Sequence, residues 1–255
     1  MGVLNVTPDS FSDGGRWIDA DAAVARGHEM VAEGADVIDV GGESTRPGAE
    51  PVPEDEERRR VLGVVAELSR SVRVSIDTRK AGVAEAAVEA GATLVNDVSA
   101  SLYGVAARAG VGWVAMHMQG EPATMQQGPR YDDVVRDVAQ FLERRAELAR
   151  EAGVDEIWID PGIGFGKTLE HNLALLRHLP VLTAGPIPVV VGTSRKSFLG
   201  AVTGESPPPP PLDRLEGSLA TAVWALSQGA GMVRVHDVAP TVGALRLLAG
   251  GPDEG

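Results

Sequence analysis

Eight short apolar runs alternate with amphipathic stretches along the 255-residue chain, and this alternation constrains the fold more than any other feature. The runs are rich in Val and Ile and do not alternate with polar residues, as is typical of strands buried on both faces. We predict strands at Gly2–Val6, Asp36–Val40, Arg73–Ile76, Thr93–Asn96, Gly112–His117, Ile157–Asp160, Ile187–Gly192 and Met232–Val235.

Helical patterns separate these runs. We predict helices at Asp19–Glu33, Glu54–Arg70, Ala81–Ala90, Leu102–Ala109, Asp132–Ala152, Glu170–Leu179, Leu212–Gln228 and Pro240–Leu248. Strand–helix alternation repeated eight times predicts parallel β/α units with right-handed crossovers. The expected fold is therefore α/β, a (β/α)8 TIM barrel in which residues 1–255 form a single domain. An open, doubly wound sheet is the alternative, because periodicity alone does not separate the two.

Composition and charge exclude several classes of function. The chain has no Cys, which excludes disulfides, thiolate zinc sites and Cys nucleophiles. Its net charge of −13 argues against nucleic-acid and anionic-membrane partners, although a local cluster of cations can still bind an anionic small molecule. No apolar run approaches the roughly 20 residues of a membrane helix, and residues 1–13 lack the cations of a signal peptide. We therefore expect a cytoplasmic protein.

Polar residues stand at the predicted carboxyl ends of the strands, where barrel enzymes place their active sites. Asp77, Asn96 and Asp160 combine carboxylate acceptors with an amide that both donates and accepts. This set matches the edge of a flat heterocycle that carries an amide and an amino group. Lys196, after the seventh strand, adds a cation.

A second group of residues suits a polyanion. Arg46, Arg234 and His236 can surround one, since guanidinium groups fit phosphate oxygens. Asn5 offers a neutral oxygen of the kind that suits a Mg²⁺ ion bound mainly by water and phosphate oxygens. These features favour departure of a leaving group that Mg²⁺ neutralises.

Structural interpretations compete with the functional ones. Asp77 can be a helix cap, His117 is expected to be structural, and Lys167 is expected to be a solvated cation in a loop. Ser194 and Ser197 have no obvious His partner, which disfavours covalent catalysis.

Seven stretches together resemble one known family. They read GVLNVTPDSFSDGG at 2–15, DVGGESTRPGA at 39–49, SIDT at 75–78, VNDVS at 95–99, IDPGIGFGKT at 159–168, GTSRKSFLG at 192–200 and RVHDV at 234–238. The chain resembles the dihydropteroate synthases, pterin-binding enzymes of folate biosynthesis that are targets of sulfonamides. The resemblance implies a transferase that condenses 6-hydroxymethyl-7,8-dihydropterin pyrophosphate with 4-aminobenzoate, giving 7,8-dihydropteroate and pyrophosphate. It implies Mg²⁺-assisted loss of pyrophosphate followed by attack of the amine on a pterin cation.

The resemblance also assigns roles to residues. The residues implied for the pterin are Asp77, Asn96, Asp160, Lys196, Met116, Phe165 and Gly192, of which Asp77, Lys196 and Asp160 are the expected catalytic residues. The residues implied for pyrophosphate are Asn5, Thr45, Arg46, Arg234 and His236, with Asn5 as the Mg²⁺ ligand. The residues implied for 4-aminobenzoate are Phe11, Pro47 and Ser197.

Further expectations concern loops and partners. The segments Thr7–Gly15 and Glu43–Glu50 are expected to close over the substrates. The apolar stripe of the helix at Leu212–Gln228 is broader than a core needs, so we expect a homodimer. Sulfonamides are the expected inhibitors, and neither nucleic acid nor a membrane is an expected partner.

Two other functions use a similar barrel. A pterin-binding methyltransferase that serves a corrinoid protein would share the pterin carboxylates but would have no use for the pyrophosphate cluster. A non-catalytic pterin carrier would not need glycine-rich loops that close over a second substrate. The intact motifs favour the synthase over both.

Overall fold

The strands of the barrel coincide closely with the apolar runs of the sequence. The computed structural model describes residues 1–7, 20–44 and 49–250. Its strands are β1 Gly2–Asn5, β2 Val37–Gly41, β3 Arg73–Asp77, β4 Leu94–Asp97, β5 Gly112–Met116, β6 Ile157–Asp160, β7 Val190–Val191 and β8 Met232–Val233. Every pair of neighbouring strands is parallel, as the β/α alternation predicts.

The eight strands follow one another around a ring. Strands β1 to β6 form one sheet in chain order, and β7 pairs with β8. Parallel bridges at Ile159–Val189 and Gly2–Val235 join the two sheets at both seams. At the second seam the Val3 amide donates to the Val235 carbonyl at 2.9 Å. The (β/α)8 barrel is therefore confirmed, and the open sheet is wrong.

Helices cover the outside of the ring. They are α1 Ala20–Ala32, α2 Glu54–Leu68, α3 Ala81–Glu89, α4 Tyr103–Ala109, α5 Val134–Glu151, α6 Leu169–Arg177, α7 Pro180–Thr183, α8 Ser197–Val202, α9 Leu215–Ser227 and α10 Val238–Leu248. The short helices α7 and α8 are absent from the sequence prediction, because segments this short carry little periodic signal. Within the described ranges no helix is long and apolar enough to cross a membrane.

Side-chain caps fix where the helices begin. The Asp133 carboxylate accepts from the amides of Val135 and Arg136, both at 3.1 Å, at the start of α5. Thr168 caps α6 through a reciprocal pair of hydrogen bonds with His171, both at 3.2 Å. Such caps satisfy amides that lack a partner within the helix. The cap at Thr168 also fixes the end of the loop that follows β6.

The barrel interior changes from apolar to polar along the strands. Met1, Val37, Leu94, Val114 and Val190 form a small buried cluster of their own. In β2 and β4 the residues two positions further on are Asp39 and Asn96. Side chains two residues apart share a face of a strand. The buried apolar layer therefore lies beneath a polar layer at the carboxyl ends.

Candidate active site

Buried polar side chains lie within, or at the carboxyl ends of, four strands. Asp39, Asp77, Asn96 and Asp160 are each at most 8% exposed. The register of the sheet aligns neighbouring strands, so that Gly41 pairs with Asp77 and Asp77 pairs with Asn96. The three predicted pterin residues of this kind, Asp77, Asn96 and Asp160, thus stand at one end of the ring.

One guanidinium ties two of these carboxylates together. Arg234 donates from Nε to Oδ2 of Asp39 and from Nη2 to Oδ2 of Asp77, both at 2.6 Å. The Asn96 amide donates to the same Asp39 oxygen at 2.9 Å. Sequence reasoning assigned Asp39 no role. A carboxylate inside the otherwise apolar run of β2 is the signal that would have singled it out.

Two buried carboxylate oxygens have no partner. Oδ1 of Asp39 and Oδ1 of Asp77 make no hydrogen bond with any of the described residues. Burial raises the pKa of Asp77 to about 7, and the nearby Arg234 charge opposes that rise. Because an unpaired buried acceptor is costly, these oxygens suit a ligand that brings N–H donors.

Asp160 and Lys196 form the other side of the site. The Asp160 carboxylate accepts from the Gly162 amide at 2.7 Å, and the Lys196 ammonium donates to the Ile163 carbonyl at 2.5 Å. Lys196 Nζ also lies 4.5 Å from the centre of the Phe165 ring. Burial raises the pKa of Asp160 against the opposing Lys196 charge, and burial lowers the pKa of Lys196 to about 8. The structure thus brings three predicted pterin residues together.

Met116 and Gly192, two further residues predicted for the pterin, lie beside the groups already described. Met116 ends β5 and is 4% exposed. A Cβ on Gly192 would lie 3.8 Å from Lys196 Nζ and 3.7 Å from Cβ of Arg234. Gly192 therefore lies beside both cations of the site.

The loops after β7 and β8 are linked to each other. The His236 amide donates to Oγ of Ser194 at 3.1 Å, and His236 Nδ1 lies 3.1 Å from the same oxygen. Arg195 donates from Nε to Oδ2 of Asp237 at 2.9 Å. Ser197 is exposed at the first position of α8. These links hold Arg234, His236 and Ser197 at one rim of the barrel.

Part of the predicted site lies outside the described residues. These predicted residues are Phe11, Thr45, Arg46 and Pro47. On either side of the second gap, Glu43 accepts from the Val52 amide at 3.1 Å and from Arg79 Nε at 3.1 Å, and it also pairs with Lys80. The two flanks of residues 45–48 are therefore joined by direct hydrogen bonds.

The prediction made for Lys167 is wrong. The sequence suggested a solvated loop cation, but Lys167 is only 2% exposed. Its ammonium lies 3.0 Å from His117 Nδ1. Burial, reinforced by the Lys167 charge, lowers the pKa of His117 to about 3, so this imidazole is neutral. The prediction failed because the burial of a loop depends on its packing against other loops, which local composition does not reveal.

Asn5 is the residue predicted to bind a metal ion. It ends β1, and its Oδ1 lies 3.7 Å from the position that a Cβ on Gly41 would take. Residues 1–7, 20–44 and 49–250 contain no cluster of three or more His, Asp or Glu that could hold a metal. A single neutral oxygen fits a Mg²⁺ ion whose other ligands are water and phosphate oxygens, the arrangement this ion prefers.

Comparison with known proteins identifies similar chains. The family model described as "Pterin binding enzyme" matches residues 1–236. A dihydropteroate synthase of Neisseria meningitidis serogroup B is 45% identical over 260 residues, which covers 97% of this chain and 90% of the relative.

Solved structures give the same result for the fold. A Xanthomonas albilineans dihydropteroate synthase with 4-aminobenzoic acid matches with a TM-score of 0.90 and 46% identity, covering 98% of this chain and 91% of the other. A Yersinia pestis dihydropteroate synthase with a sulfonamide drug complex matches with a TM-score of 0.90 and 44% identity, covering 98% and 92%.

Proposed function

Since the chain belongs to the pterin-binding enzymes and, among them, to the dihydropteroate synthases, we propose how its residues divide the work of one condensation. An enzyme of this family is a transferase of folate biosynthesis. It joins 6-hydroxymethyl-7,8-dihydropterin pyrophosphate to 4-aminobenzoate and releases pyrophosphate, which leaves 7,8-dihydropteroate. The observation that carries the assignment of residues is the convergence of Asp77, Asn96, Asp160 and Lys196 at the carboxyl end of the barrel.

The pterin is recognised by hydrogen bonds along its edge. The Asn96 NH2 group donates one N–H to Asp39, which leaves its second N–H to donate and its carbonyl to accept along the pterin edge. Oδ1 of Asp77 and the Asp160 carboxylate supply further acceptors, while Lys196 donates to a ring acceptor. Met116, Phe165 and Gly192 line the faces of the flat ring.

Charge governs the chemical step. Arg234 and His236, together with Arg46 and Thr45, hold the departing pyrophosphate. Loss of this group leaves a delocalised pterin cation, which the Asp77 carboxylate stabilises. Two unit charges about 4 Å apart interact by about 4 kcal/mol at an effective dielectric near 20, before the cost of burying the carboxylate. The neutral aromatic amine then forms the C–N bond with this cation, and its surplus N–H proton, which is acidic in the adduct, passes to water, so no strong base is needed.

We place Mg²⁺ at Asn5. Asn5 would hold the ion, which would supply positive charge against the leaving pyrophosphate. Asn5 and Asp77 stand on either side of Gly41 in the register of the sheet, so the neutral amide lies next to the pterin carboxylate.

The second substrate lies at the rim. Ser197 begins α8 and is exposed, so its hydroxyl can donate to the carboxylate of 4-aminobenzoate. Phe11 and Pro47, which lie outside the described residues, stay predicted contacts of the aromatic ring in the segments Thr7–Gly15 and Glu43–Glu50. A sulfonamide drug occupies the same position, with its sulfonyl group in place of the carboxylate. Phe11→Ala is expected to raise the KM for 4-aminobenzoate.

The chain assembles as a homodimer through its last long helices. In α9 Trp224 is 44% exposed, and in α10 Leu247 and Leu248 are 82% and 53% exposed. Large apolar side chains grouped on two packed helices favour burial against a second copy. Sedimentation at micromolar concentration is expected to give a dimer, and a monomer would contradict this assignment. The single domain and the cytoplasmic location stay predictions.

Product analysis tests the function. The purified protein, both substrates and Mg²⁺ are mixed, and the products are analysed by mass spectrometry. A mass corresponding to 7,8-dihydropteroate, formed together with pyrophosphate, supports the synthase. Binding of the pterin without product would indicate a carrier, and methyl transfer from a methylated folate would indicate the methyltransferase.

A further inference from the structure

Lys167 is surrounded by acceptors. Its Nζ lies 2.9 Å from the Gly162 carbonyl, 3.0 Å from the Phe165 carbonyl, 3.2 Å from the His117 carbonyl and 3.0 Å from His117 Nδ1. Burial lowers the pKa of Lys167 to about 7, but four surrounding acceptors favour the ammonium, whose three N–H donors they more than satisfy. Lys167 therefore has no donor to spare for a substrate, and any effect on the reaction must pass through the groups that it holds.

The held segment is the loop at residues 162–166, which lies against the chain after β5. A Cβ on Gly162 would collide with the His117 carbonyl oxygen, and a Cβ on Gly166 would collide with the Gln119 carbonyl oxygen. Both glycines have positive φ, 63° and 59° respectively. Only glycine allows two backbones to approach so closely in this conformation. The approach brings carbonyl oxygens of both segments, those of His117, Gly162 and Phe165, within reach of the Lys167 ammonium.

His117 is the neutral partner of this ammonium. Its ring stands edge-on to Phe141, with ring centres 5.0 Å apart, and its centre lies 5.9 Å from that of Tyr131. The Tyr131 hydroxyl donates to the Gly166 carbonyl at 2.8 Å. The aromatic contacts fix the orientation of the imidazole, so its Nδ1 lone pair faces Lys167.

The loop at residues 162–166 also contacts Lys196 and Asp160, two of the residues proposed to bind the pterin. The Ile163 carbonyl, which accepts from Lys196, lies between the two loop carbonyls that Lys167 binds. The Phe165 ring contacts the Lys196 ammonium, and the Gly162 amide donates to Asp160. A shift of this loop would displace Lys196 and Asp160 together.

We propose that Lys167 is a positioning residue for the pterin pocket: its buried ammonium fixes the loop at residues 162–166 and, through the Ile163 carbonyl and the Phe165 ring, the place of Lys196. This inference rests on the proposed function, because it takes Lys196, Phe165 and Asp160 as pterin-binding residues. Lys167 itself touches no substrate.

Lys167→Met is the direct test, since Met has a similar length and no donor. Binding of 6-hydroxymethyl-7,8-dihydropterin pyrophosphate is measured by calorimetry without 4-aminobenzoate. We expect affinity to fall roughly tenfold, the scale of one lost charge-assisted hydrogen bond. The matched control is Arg73→Met, which removes a cation paired with Glu156 at 2.5 Å at the start of β3, the opposite end of the barrel. Arg73→Met is expected to bind the pterin normally.

A double-mutant cycle separates positioning from general destabilisation. If Lys167 acts through Lys196, the effect of Lys167→Met on pterin affinity should shrink to under about threefold when Lys196→Met is already present. If the losses of pterin affinity in Lys167→Met and Lys196→Met simply multiply in the double variant, the proposal is overturned. So would a folded Lys167→Met protein that binds the pterin within about twofold of the wild type.

A second pair of variants covers the case in which Lys167→Met does not fold. His117→Asn keeps an acceptor close to the position of Nδ1, whereas His117→Leu removes it. The proposal expects near-normal pterin affinity for the Asn variant and a clear loss for the Leu variant; equal affinities would overturn it. A wild-type protein that binds no pterin would overturn the proposed function and this inference with it, whereas wild-type binding with unaffected variants would overturn this inference alone.

Discussion

Arg234 donates from Nη2 to Oδ2 of Asp77 at 2.6 Å, across the mouth of the barrel. The two residues are 157 positions apart in the chain and belong to the ends of β3 and β8. The pair joins the cation expected to hold pyrophosphate to the carboxylate expected to stabilise the pterin cation. The two halves of the proposed reaction are therefore electrostatically coupled.

This pair predicts an acid limb in the pH profile. Burial raises the pKa of Asp77 to about 7, so the carboxylate is protonated below that pH and charged above it. Because the charged form stabilises the cation, kcat/KM for the pterin substrate should rise as pH increases through about 7. Arg234→Gln removes the opposing cation, and its acid limb should move to higher pH. A limb that stays in place would show that Asp77 does not cause it.

Deprotonation of Lys196 is expected to cause an alkaline limb in the pH profile of kcat/KM. Burial lowers the pKa of Lys196 to about 8, so its positive charge is lost as pH rises through that value. The same kcat/KM profile should therefore fall above about pH 8. Lys196→Arg keeps a cation at high pH, and its residual activity should persist there. If the alkaline limb of this variant is unchanged, a group other than Lys196 causes it.

Replacement of Asp39 is expected to destabilise the fold. It is fully buried and accepts from both Asn96 and Arg234 through one oxygen. Asp39→Asn removes the charge that both donors face and should lower the free energy of unfolding by about 1.5–3 kcal/mol. The control is Glu85→Gln, which breaks an exposed pair with Arg108 and should cost about 0–1 kcal/mol. Equal losses in urea unfolding would show that Asp39 is not a structural centre of the site.

The proposed contact between Ser197 and 4-aminobenzoate can be tested by substitution. Ser197→Ala should raise the KM for 4-aminobenzoate by roughly tenfold or more, the equivalent of one hydrogen bond to a charged carboxylate, and leave the KM for the pterin unchanged. Aniline lacks the carboxylate and should react far less efficiently than 4-aminobenzoate with the wild-type protein. The anchor is disproved if both amines react equally well.

The barrel could be predicted because its strands are continuous apolar runs. The runs at Arg73–Ile76 and Ile157–Asp160 agree with β3 and β6 to within one residue at either end. Strand β7 is shorter than the run at Ile187–Gly192, since Pro188 has no amide N–H to donate to a neighbouring strand. Local pattern and local chemistry were sufficient for these elements.

The positions of the candidate site residues could be predicted only where the sequence carries a recognisable motif. Asp77, Asn96, Asp160 and Lys196 converge as expected, because parallel strands place their carboxyl ends together. The role of Asp39 was missed, since it depends on Arg234, which is 195 positions away in the chain. Lys167 was misjudged for a related reason: its four acceptors come from two different loops whose contact depends on glycine conformations.

Replacement of Asp77 by Asn tests the central claim most directly. Asn keeps the shape and most of the hydrogen-bonding capacity of Asp77 but removes its charge. The rate of pyrophosphate release in a single turnover is measured beside the dissociation constant of the pterin substrate. We predict that the rate falls by roughly 10²–10³, the usual cost of losing one preorganised electrostatic group, while pterin binding weakens much less. A near-normal rate would contradict the account, because Asp77 would then hold the pterin without stabilising a cation.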